Sequence, residues 1–181
     1  MMSASVPFVR PATAGDAETL AALLAAYLRE RFPGHPGTTA AQLGADVLAP
    51  GSTHHVLLAE KHGAAIGFVA WDAVYDMHWA QRGAQVADLY VRPGSRGQGV
   101  ALALVAAVCA QAAEMGATFL RGGSYDRQSP TGRFYERIAV GHDSAECHCA
   151  GRAFRQIASL HGTPVRQMVR SLPPAEWNYE A

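Results

Sequence analysis

The stretch "VADLYVRPGSRGQGVALALV", residues 86–105, decides the predicted fold of this chain. An apolar strand ends at Val91, a basic loop with three glycines follows, and an almost uncharged apolar helix is predicted from Gly99 onward. The first turn of a helix has N–H groups without intrahelical partners, and together with the helix dipole they attract anions. Because Gly97 lacks a side chain, a phosphate can approach the backbone there, and Arg96 adds positive charge. The stretch therefore predicts an anion site between a strand and a helix.

The loop has three other possible interpretations. A phosphate loop of the NTPase type needs a Lys-Ser or Lys-Thr pair after its last glycine, and none follows here. A dinucleotide fingerprint starting at Gly97 needs a third glycine or alanine where Leu102 stands. The remaining alternative is a plain strand-to-helix turn with solubilising arginines, and the loop alone leaves it open.

Periodicity and turn residues predict the elements of the whole chain. The predicted strands span 6–10, 54–60, 64–75, 84–91, 117–122 and 145–150, and the predicted helices span 16–31, 39–48, 99–115, 130–138 and 153–160. Residues 76–83 are predicted to be a polar and aromatic connection, and two capping boxes, Thr13 with Asp16 and Thr39 with Gln42, are predicted to open the first two helices. The order β-α-α-β-β-β-α-β-α-β predicts an α+β fold with a mixed, mostly antiparallel central sheet. One domain is expected over residues 1–181, with a C-terminal tail from roughly residue 162 to 181.

Composition excludes several classes of function. The 181 residues include 15 basic and 15 acidic ones, whereas a nucleic-acid-binding domain normally has a basic excess. No apolar run reaches the roughly 18 residues of a membrane span, and the N-terminus lacks a signal sequence, so a cytoplasmic location is expected. Cys147 and Cys149 are not expected to bind metal, because strand alternation points His148 away from them.

The stretch 86–105 resembles the central motif of the GCN5-related N-acetyltransferases. The family signature Arg/Gln-x-x-Gly-x-Gly/Ala is matched by Arg96, Gly99 and Ala101. The preceding hydrophobic-x-Val-x-Pro pattern is matched by Leu89, Val91 and Pro93. The strand pair before the motif, "LLAEKHGAAIGFVAW", also resembles the family, so the likeness spans residues 6–140 and implies a domain of the GCN5-related (GNAT) fold.

The segment "QSPTGRFYERIAV", residues 128–140, resembles the family pattern Asn-x-x-Ala-x-x-Phe-Tyr. Tyr135 stands at the position of the tyrosine. The segment departs from the pattern at Gln128, where the family has Asn, and at Thr131, where it has Ala. A further departure is the pair Ala139-Val140, where a Gly-Phe or Gly-Ala pair is usual.

The resemblance implies that acetyl-CoA (coenzyme A) is the cofactor. Its pyrophosphate is expected on the N–H groups of residues 96–102, and its pantetheine arm along the edge of strand 84–91. The cofactor-binding residues implied in this way are Leu89, Tyr90, Val91, Arg96, Gly97, Gln98, Gly99, Val100, Ala101, Leu102 and Gln128.

Acetyl transfer needs a neutral amine, and an amine with a pKa near 10.4 is neutral in only about one molecule in 2,500 at pH 7. Asp88 is the candidate general base, directly or through water, because it is the one charged residue of an apolar strand; bracing of the loop is its alternative role. Strand alternation places Asp88 and Tyr90 on one face. The resemblance places Tyr135 near the CoA sulfur as general acid, and its alternative role is packing.

The stretch "WDAVYDMHWAQ", residues 71–81, is predicted to overhang the acceptor pocket. Tyr75 and Trp79 can hold an ammonium by cation–π contact, and Asp76 can pair with it; an exposed hairpin tip or a dimer contact is the alternative. The expected acceptor is a primary amine of a small molecule, since several stretches resemble the branch that acetylates diamines. A protein or peptide N-acetyltransferase and a non-catalytic acyl-CoA-binding regulator are the other candidates, and a homodimer stays open.

Overall fold

The computed structural model describes residues 7–122 and 128–138. The chain divides into two compact units, Met1–Gly123 and Ser124–Ala181, which are described separately. The described residues of the first unit form five strands, three helices and two short 3-10 turns, Ala14–Asp16 and Pro93–Ser95. In chain order, the strands and helices are β1 (Phe8–Pro11), α1 (Ala17–Arg31), α2 (Ala40–Asp46), β2 (His54–Lys61), β3 (Ala64–Asp76), β4 (Gln81–Val91), α3 (Val100–Glu114) and β5 (Phe119–Gly122).

The five strands form one sheet in the order β1-β2-β3-β4-β5. Neighbouring strands are antiparallel except β4 and β5, which are parallel and are joined through α3. The predicted α+β class, the mostly antiparallel sheet and the element order are confirmed as far as α4 (Pro130–Tyr135), the helix of the second unit. The predicted strand 145–150, helix 153–160 and tail lie outside the described residues, so the single-domain organisation stays a prediction.

Alternating residues of the strands pack into two hydrophobic clusters, one on each face of the sheet. On one face, α3 packs Leu104 and Val108 against strand residues that include Val69 and Trp71. On the other face, α1 and α2 pack against a second set of strand residues, among them Phe68. Because the side chains of a strand point alternately up and down, one sheet supports helices on both faces.

Both predicted capping boxes are present. The Asp16 carboxylate accepts hydrogen bonds from the Thr13 N–H and hydroxyl at 2.7 and 2.8 Å. At the second box, the Gln42 N–H donates to the Thr39 hydroxyl at 3.2 Å and the Gln42 side chain accepts from the Thr39 N–H at 3.0 Å. These side chains satisfy N–H groups that a helix start leaves without partners.

The predicted connection 76–83 is wrong in length, because β4 begins at Gln81. The pairing of β3 with β4 continues to Asp76 opposite Gln81, so only residues 77–80 form the connection. The first residues of β4, Gln81 and Arg82, are polar, so the sequence does not mark the start of the strand. Gly83, which follows them, has no side chain, and the ring of Phe119 therefore lies against its backbone. A Cβ at Gly83 would come within 2.3 Å of that ring.

Candidate active site

One extra residue in β4 changes which way its side chains point. Ala70 of β3 pairs with Asp88, whereas the next residue, Trp71, pairs with Val86, so Ala87 is a β-bulge. Val86 therefore packs in the cluster under α3, and Tyr90 packs in the cluster under α1. The bulge explains how an alternating strand presents different faces before and after Ala87.

Asp88 is half-buried on the α1 side of the sheet. Burial raises the pKa of its carboxyl group, and a hydrogen bond with Tyr27 of α1 opposes this rise. The pKa of Tyr27 is also raised, first by burial and then by the negative charge of Asp88. The predicted common face of Asp88 and Tyr90 is consistent with these contacts, since the Tyr27 ring lies 5.9 Å from the Tyr90 ring. A carboxylate with a raised pKa is well suited to accept a proton near neutral pH.

Beyond the bulge, the edge of β4 has no partner strand among the described residues. β5 pairs with β4 only over Gly83–Val86. Within residues 7–122 and 128–138, no strand pairs with β4 on that side after Val86. The main chain of Leu89, Tyr90 and Val91 therefore lies on a strand edge that can receive an extended ligand.

The loop after β4 turns sharply through two glycines. A 3-10 turn at Pro93–Ser95 is followed by Gly97 with φ 72° and Gly99 with φ 79°, both in the left-handed region that favours glycine. A Cβ built at either glycine meets no atom within 4 Å. The glycines are therefore needed for the backbone conformation, and the space beside them is open.

The N–H groups of residues 97–102 have no hydrogen-bond acceptor among the residues that the structure describes. The first N–H that bonds back along α3 is that of Ala103, which donates to the Gly99 carbonyl at 2.9 Å. No side chain caps the helix at Gly99. The N–H of Arg96 donates to the Pro93 carbonyl at 3.2 Å, so the run of amides without a described acceptor starts at Gly97, within the predicted set 96–102.

The side chains of the loop are held by the protein itself. Arg96 donates to the Val91 carbonyl at 2.8 Å and to the Glu30 carboxylate at 2.6 Å. Gln98 donates to the Gly94 carbonyl and accepts from Lys61, each at 3.0 Å. Val100 is buried in the cluster under α3 and Leu102 is about half exposed. These residues thus present their main chain, more than their side chains, to an incoming anion.

The described part of the second unit is the short helix α4. The Ser129 hydroxyl accepts from the Gly132 N–H at 3.0 Å and caps the helix, and the Gln128 carbonyl accepts from Arg133 at 2.6 Å. Tyr135 is buried, and its ring lies 5.3 Å from that of Phe134. The predicted helix 130–138 is thus found at Pro130–Tyr135.

The predicted amine-binding residues lie at the tip of the β3–β4 hairpin. Tyr75 and Trp79 are 57% and 75% exposed. Asp76 accepts the N–H groups of His78 and Trp79 and pairs with Arg121 at 3.1 Å. Tyr75 lines a cavity of about 200 Å³ with Trp71, on the face of the sheet that carries α3. The structure therefore does not bring Tyr75 to the face on which Asp88 lies.

Sequence reasoning did not single out Tyr27 or Glu30, both of α1. Each contacts β4 or its loop, Tyr27 through Asp88 and Glu30 through Tyr90 and Arg96. Their spacing of three residues places them on one side of a helix, and this was the available signal. The stretch "YLRERF" otherwise reads as an ordinary charged end of a helix.

Two kinds of site are absent from the described residues. None of the helices found there has the length and apolar character needed to cross a membrane. No group of three or more His, Cys, Asp or Glu residues suited to a metal ion occurs within 7–122 and 128–138. Cys147, His148 and Cys149 lie outside those ranges.

Solved structures with the same fold include several acetyltransferases. The ribosomal-protein-alanine N-acetyltransferase from Brucella melitensis biovar Abortus 2308 is 23% identical with a TM-score of 0.68, covering 81% of this chain and 99% of its own. The structure of AAC(6')-Iy in complex with the bisubstrate analogue CoA-S-monomethyl-acetylneamine is 20% identical with a TM-score of 0.65, covering 82% and 99%. An aminoglycoside acetyltransferase from an uncultured soil metagenomic sample, in complex with trehalose, is 14% identical with a TM-score of 0.64, covering 80% and 95%.

At these identities the structural matches establish the fold alone. No curated protein matches the sequence. The family model described as "Acetyltransferase (GNAT) family" matches residues 18–139, which is more than half of the chain and includes the glycine loop, the bulge and α4. The members of this family use acetyl-CoA as acyl donor. The chain belongs to the GNAT family and is an N-acetyltransferase of that family.

Proposed function

We propose that this protein binds acetyl-CoA at the start of α3 and transfers the acetyl group to a primary amine of a small molecule. The observation that supports cofactor binding best is the run of N–H groups from Gly97 to Leu102, which have no acceptor among the described residues. In this proposal they donate to the pyrophosphate, aided by the dipole of the 15-residue helix. A single dipole contact contributes only about 0.3–1 kcal/mol, so several amides are needed together.

The pantetheine arm is proposed to lie along the open edge of β4. Residues 87–91 continue the strand past its pairing with β5 and offer main-chain groups to the amides of pantetheine. This arrangement leads the arm from the glycine loop toward the bulge at Ala87. The thioester then lies beside the strand on which Asp88 is placed.

In the proposed reaction the amine nitrogen attacks the thioester carbon and the C–S bond breaks. Asp88 first accepts a proton from the bound ammonium, directly or through a water molecule, and the neutral amine then attacks. The nitrogen loses its second proton to water as the intermediate collapses to the amide. A backbone N–H of β4 stabilises the oxyanion. Tyr135 donates a proton to the CoA sulfur. This role is inferred from the resemblance of its segment to the family pattern and not from a contact with the first unit, because Tyr135 belongs to the second unit.

The acceptor is proposed to be a small amine that Asp76 and Trp79 help to bind at the tip of the β3–β4 hairpin. Tyr75 is left out of this proposal, because its ring lies on the opposite face of the sheet from Asp88. Support comes from Trp79, which is 75% exposed, and from Asp76, whose charge attracts an ammonium. Asp76 already pairs with Arg121, so an ammonium competes with that guanidinium. Trp79→Ala is expected to raise the KM for the amine several-fold and to leave the KM for acetyl-CoA unchanged.

The proposal is tested by calorimetric titration with acetyl-CoA and by following CoA release over a panel of small amines and N-terminal peptides. Gly99→Glu places a negative charge beside the amides and is expected to abolish binding, whereas Gly94→Glu, with the same charge in the same loop, is expected to retain it. Binding that survives Gly99→Glu contradicts the anion site. Binding without turnover on any amine identifies a non-catalytic acyl-CoA-binding protein, and turnover on peptides alone identifies a peptide N-acetyltransferase.

A further inference from the structure

One carboxylate of α1 connects three parts of the first unit. Glu30 Oε2 accepts from the Arg96 guanidinium at 2.6 Å, and Glu30 Oε1 accepts from the Tyr90 hydroxyl at 2.9 Å. Arg96 also lies over the Tyr90 ring, with its central carbon 5.6 Å from the ring centre. Each Glu30 oxygen thus has a separate partner: Tyr90 near the end of β4, and Arg96 in the glycine loop.

Arg96 is held in place on three sides. Its Nε donates to the Val91 carbonyl at 2.8 Å, so the side chain folds back onto the end of β4. Its Nη2 reaches Glu30, and its planar group covers Tyr90. A guanidinium with these partners is neutralised by the protein, whereas an arginine that served as the main phosphate ligand would be held ready to donate to the ligand.

Glu30 carries a negative charge at a helix position where the helix dipole disfavours one. It lies in the last turn of α1, near the negative end of the helix dipole, between Arg29 and Arg31. Its pKa is lowered, first by the hydrogen bond from Arg96 and also by that from Tyr90, so it is ionised at neutral pH. The local cost of a negative charge there is therefore offset by partners in β4 and the loop.

We propose that Glu30 is a positioning residue for the cofactor loop: by holding Arg96 against the Val91 carbonyl, it fixes the backbone that presents the amides of residues 97–102. This inference rests on the proposed function, because it concerns the same anion site. Glu30 acts through Arg96, and it affects only the binding of the diphosphate part of the cofactor. The thioester end of the donor does not depend on Glu30.

The test compares two acetyl donors in steady-state kinetics. Acetyl-CoA has the diphosphate, and S-acetylpantetheine has the same thioester without any phosphate. Glu30→Ala is expected to raise the KM for acetyl-CoA about threefold to tenfold with kcat nearly unchanged, and to leave kcat/KM for S-acetylpantetheine unchanged, since the Glu30–Arg96 pair is partly exposed. Glu18→Ala is the control, because Glu18 is an exposed glutamate of the same helix.

A double-mutant cycle tests whether Glu30 acts through Arg96. Arg96→Ala is expected to raise the KM for acetyl-CoA at least as much as Glu30→Ala, and the double variant is expected to equal Arg96→Ala, because the two residues act as a unit. Glu30→Gln keeps the shape and one acceptor oxygen, and is expected to lie between the wild type and Glu30→Ala. If a variant is too unstable to assay, Glu30→Gln supplies the comparison.

Three results would overturn the proposal. Equal losses with both donors would mean that Glu30 does not act on the diphosphate. Fully additive effects of the two substitutions would mean that it does not act through Arg96. A lower melting temperature with an unchanged KM would make Glu30 a brace of the fold alone. Failure of the wild type to bind acetyl-CoA would instead contradict the proposed function itself.

Discussion

Asp16 and Arg10 form a two-pronged ion pair: the guanidinium donates to the two carboxylate oxygens at 2.9 and 2.7 Å, although Asp16 is buried. The same Arg10 also donates to Glu60 of β2, at 2.7 and 3.0 Å. The hydrogen bonds from Arg10 hold the pKa of the Asp16 carboxyl well below its usual range. The pair joins β1 and β2 to the turn that leads into α1.

The substitution Asp16→Asn is expected to lower the free energy of unfolding by about 2–3 kcal/mol, because it leaves Arg10 with Glu60 as its one carboxylate partner and removes the charge that caps the turn. Since the folded pKa of Asp16 is depressed, its contribution is complete above the unfolded pKa, near pH 4, and is lost as pH falls through the folded pKa. The stability difference between wild type and variant should therefore shrink below about pH 4. Chemical denaturation across this range measures it. Glu60→Gln is the control, and an equal loss there would contradict a special role for Asp16.

Gly99→Ala is expected to destabilise the start of α3 by about 1 kcal/mol, because an alanine must adopt a φ of 79°. The affinity for acetyl-CoA should fall about fivefold to tenfold as the amides lose their arrangement. Gly94→Ala is the matched control in the same loop, since its φ lies outside the left-handed region and its Cβ would meet nothing within 4 Å. Calorimetry measures the affinity of both variants for acetyl-CoA. Equal losses of affinity in the two variants would mean that the left-handed backbone at Gly99 is not needed for binding.

Asp88→Asn is expected to lower kcat/KM by about 10²-fold or more, because the amine loses its proton acceptor. The raised pKa of Asp88 means that its carboxylate costs stability as pH rises above the unfolded pKa, so the variant should be at least as stable as the wild type at pH 7. The wild-type kcat/KM should fall as pH is lowered through the raised pKa. Asp72→Asn, a carboxylate of β3 that pairs with His54, should retain activity. An active Asp88→Asn would exclude Asp88 as the base.

Tyr135→Phe is expected to slow turnover by about 10²-fold at saturating acetyl-CoA while the dissociation constant of acetyl-CoA changes less than twofold. The ring stays and only the proton donor is removed, so packing beside Phe134 is retained. Tyr75→Phe removes a hydroxyl from an exposed ring and should leave turnover unchanged. Stopped-flow release of CoA measures the step, and a normal rate in Tyr135→Phe would leave packing as its role.

Local signals in the sequence predicted much of the fold. The capping residues Thr13 and Thr39 predicted the first two helices, because their hydrogen bonds are made within three residues. The apolar runs of β2 and β3 predicted a hairpin, because their alternation does not depend on distant partners. The amides at the start of α3 that have no acceptor among the described residues were predicted from helix geometry, because the first N–H groups of any helix lack intrahelical partners.

What the sequence did not reveal depends on contacts between distant residues. The bulge at Ala87 is set by how β4 pairs with β3, and no residue type in "VADLY" marks it. The bond between Glu30 and Arg96 joins residues 66 positions apart, and Arg96 was expected to face the phosphates instead. Gly83, which was predicted to lie in the connection 76–83, pairs with Phe119 of β5, 36 positions away along the chain.

The short pairing between β4 and β5 has a consequence for handling the protein. Past Val86, the main-chain polar groups on the β5 side of β4 have no partner strand among the described residues, and such an edge is a template for strands of other molecules. If coenzyme A occupies this edge, it also shields it. Purified protein should then form fewer oligomers and aggregates when stored with coenzyme A, so that the ligand acts as a guard against misassembly.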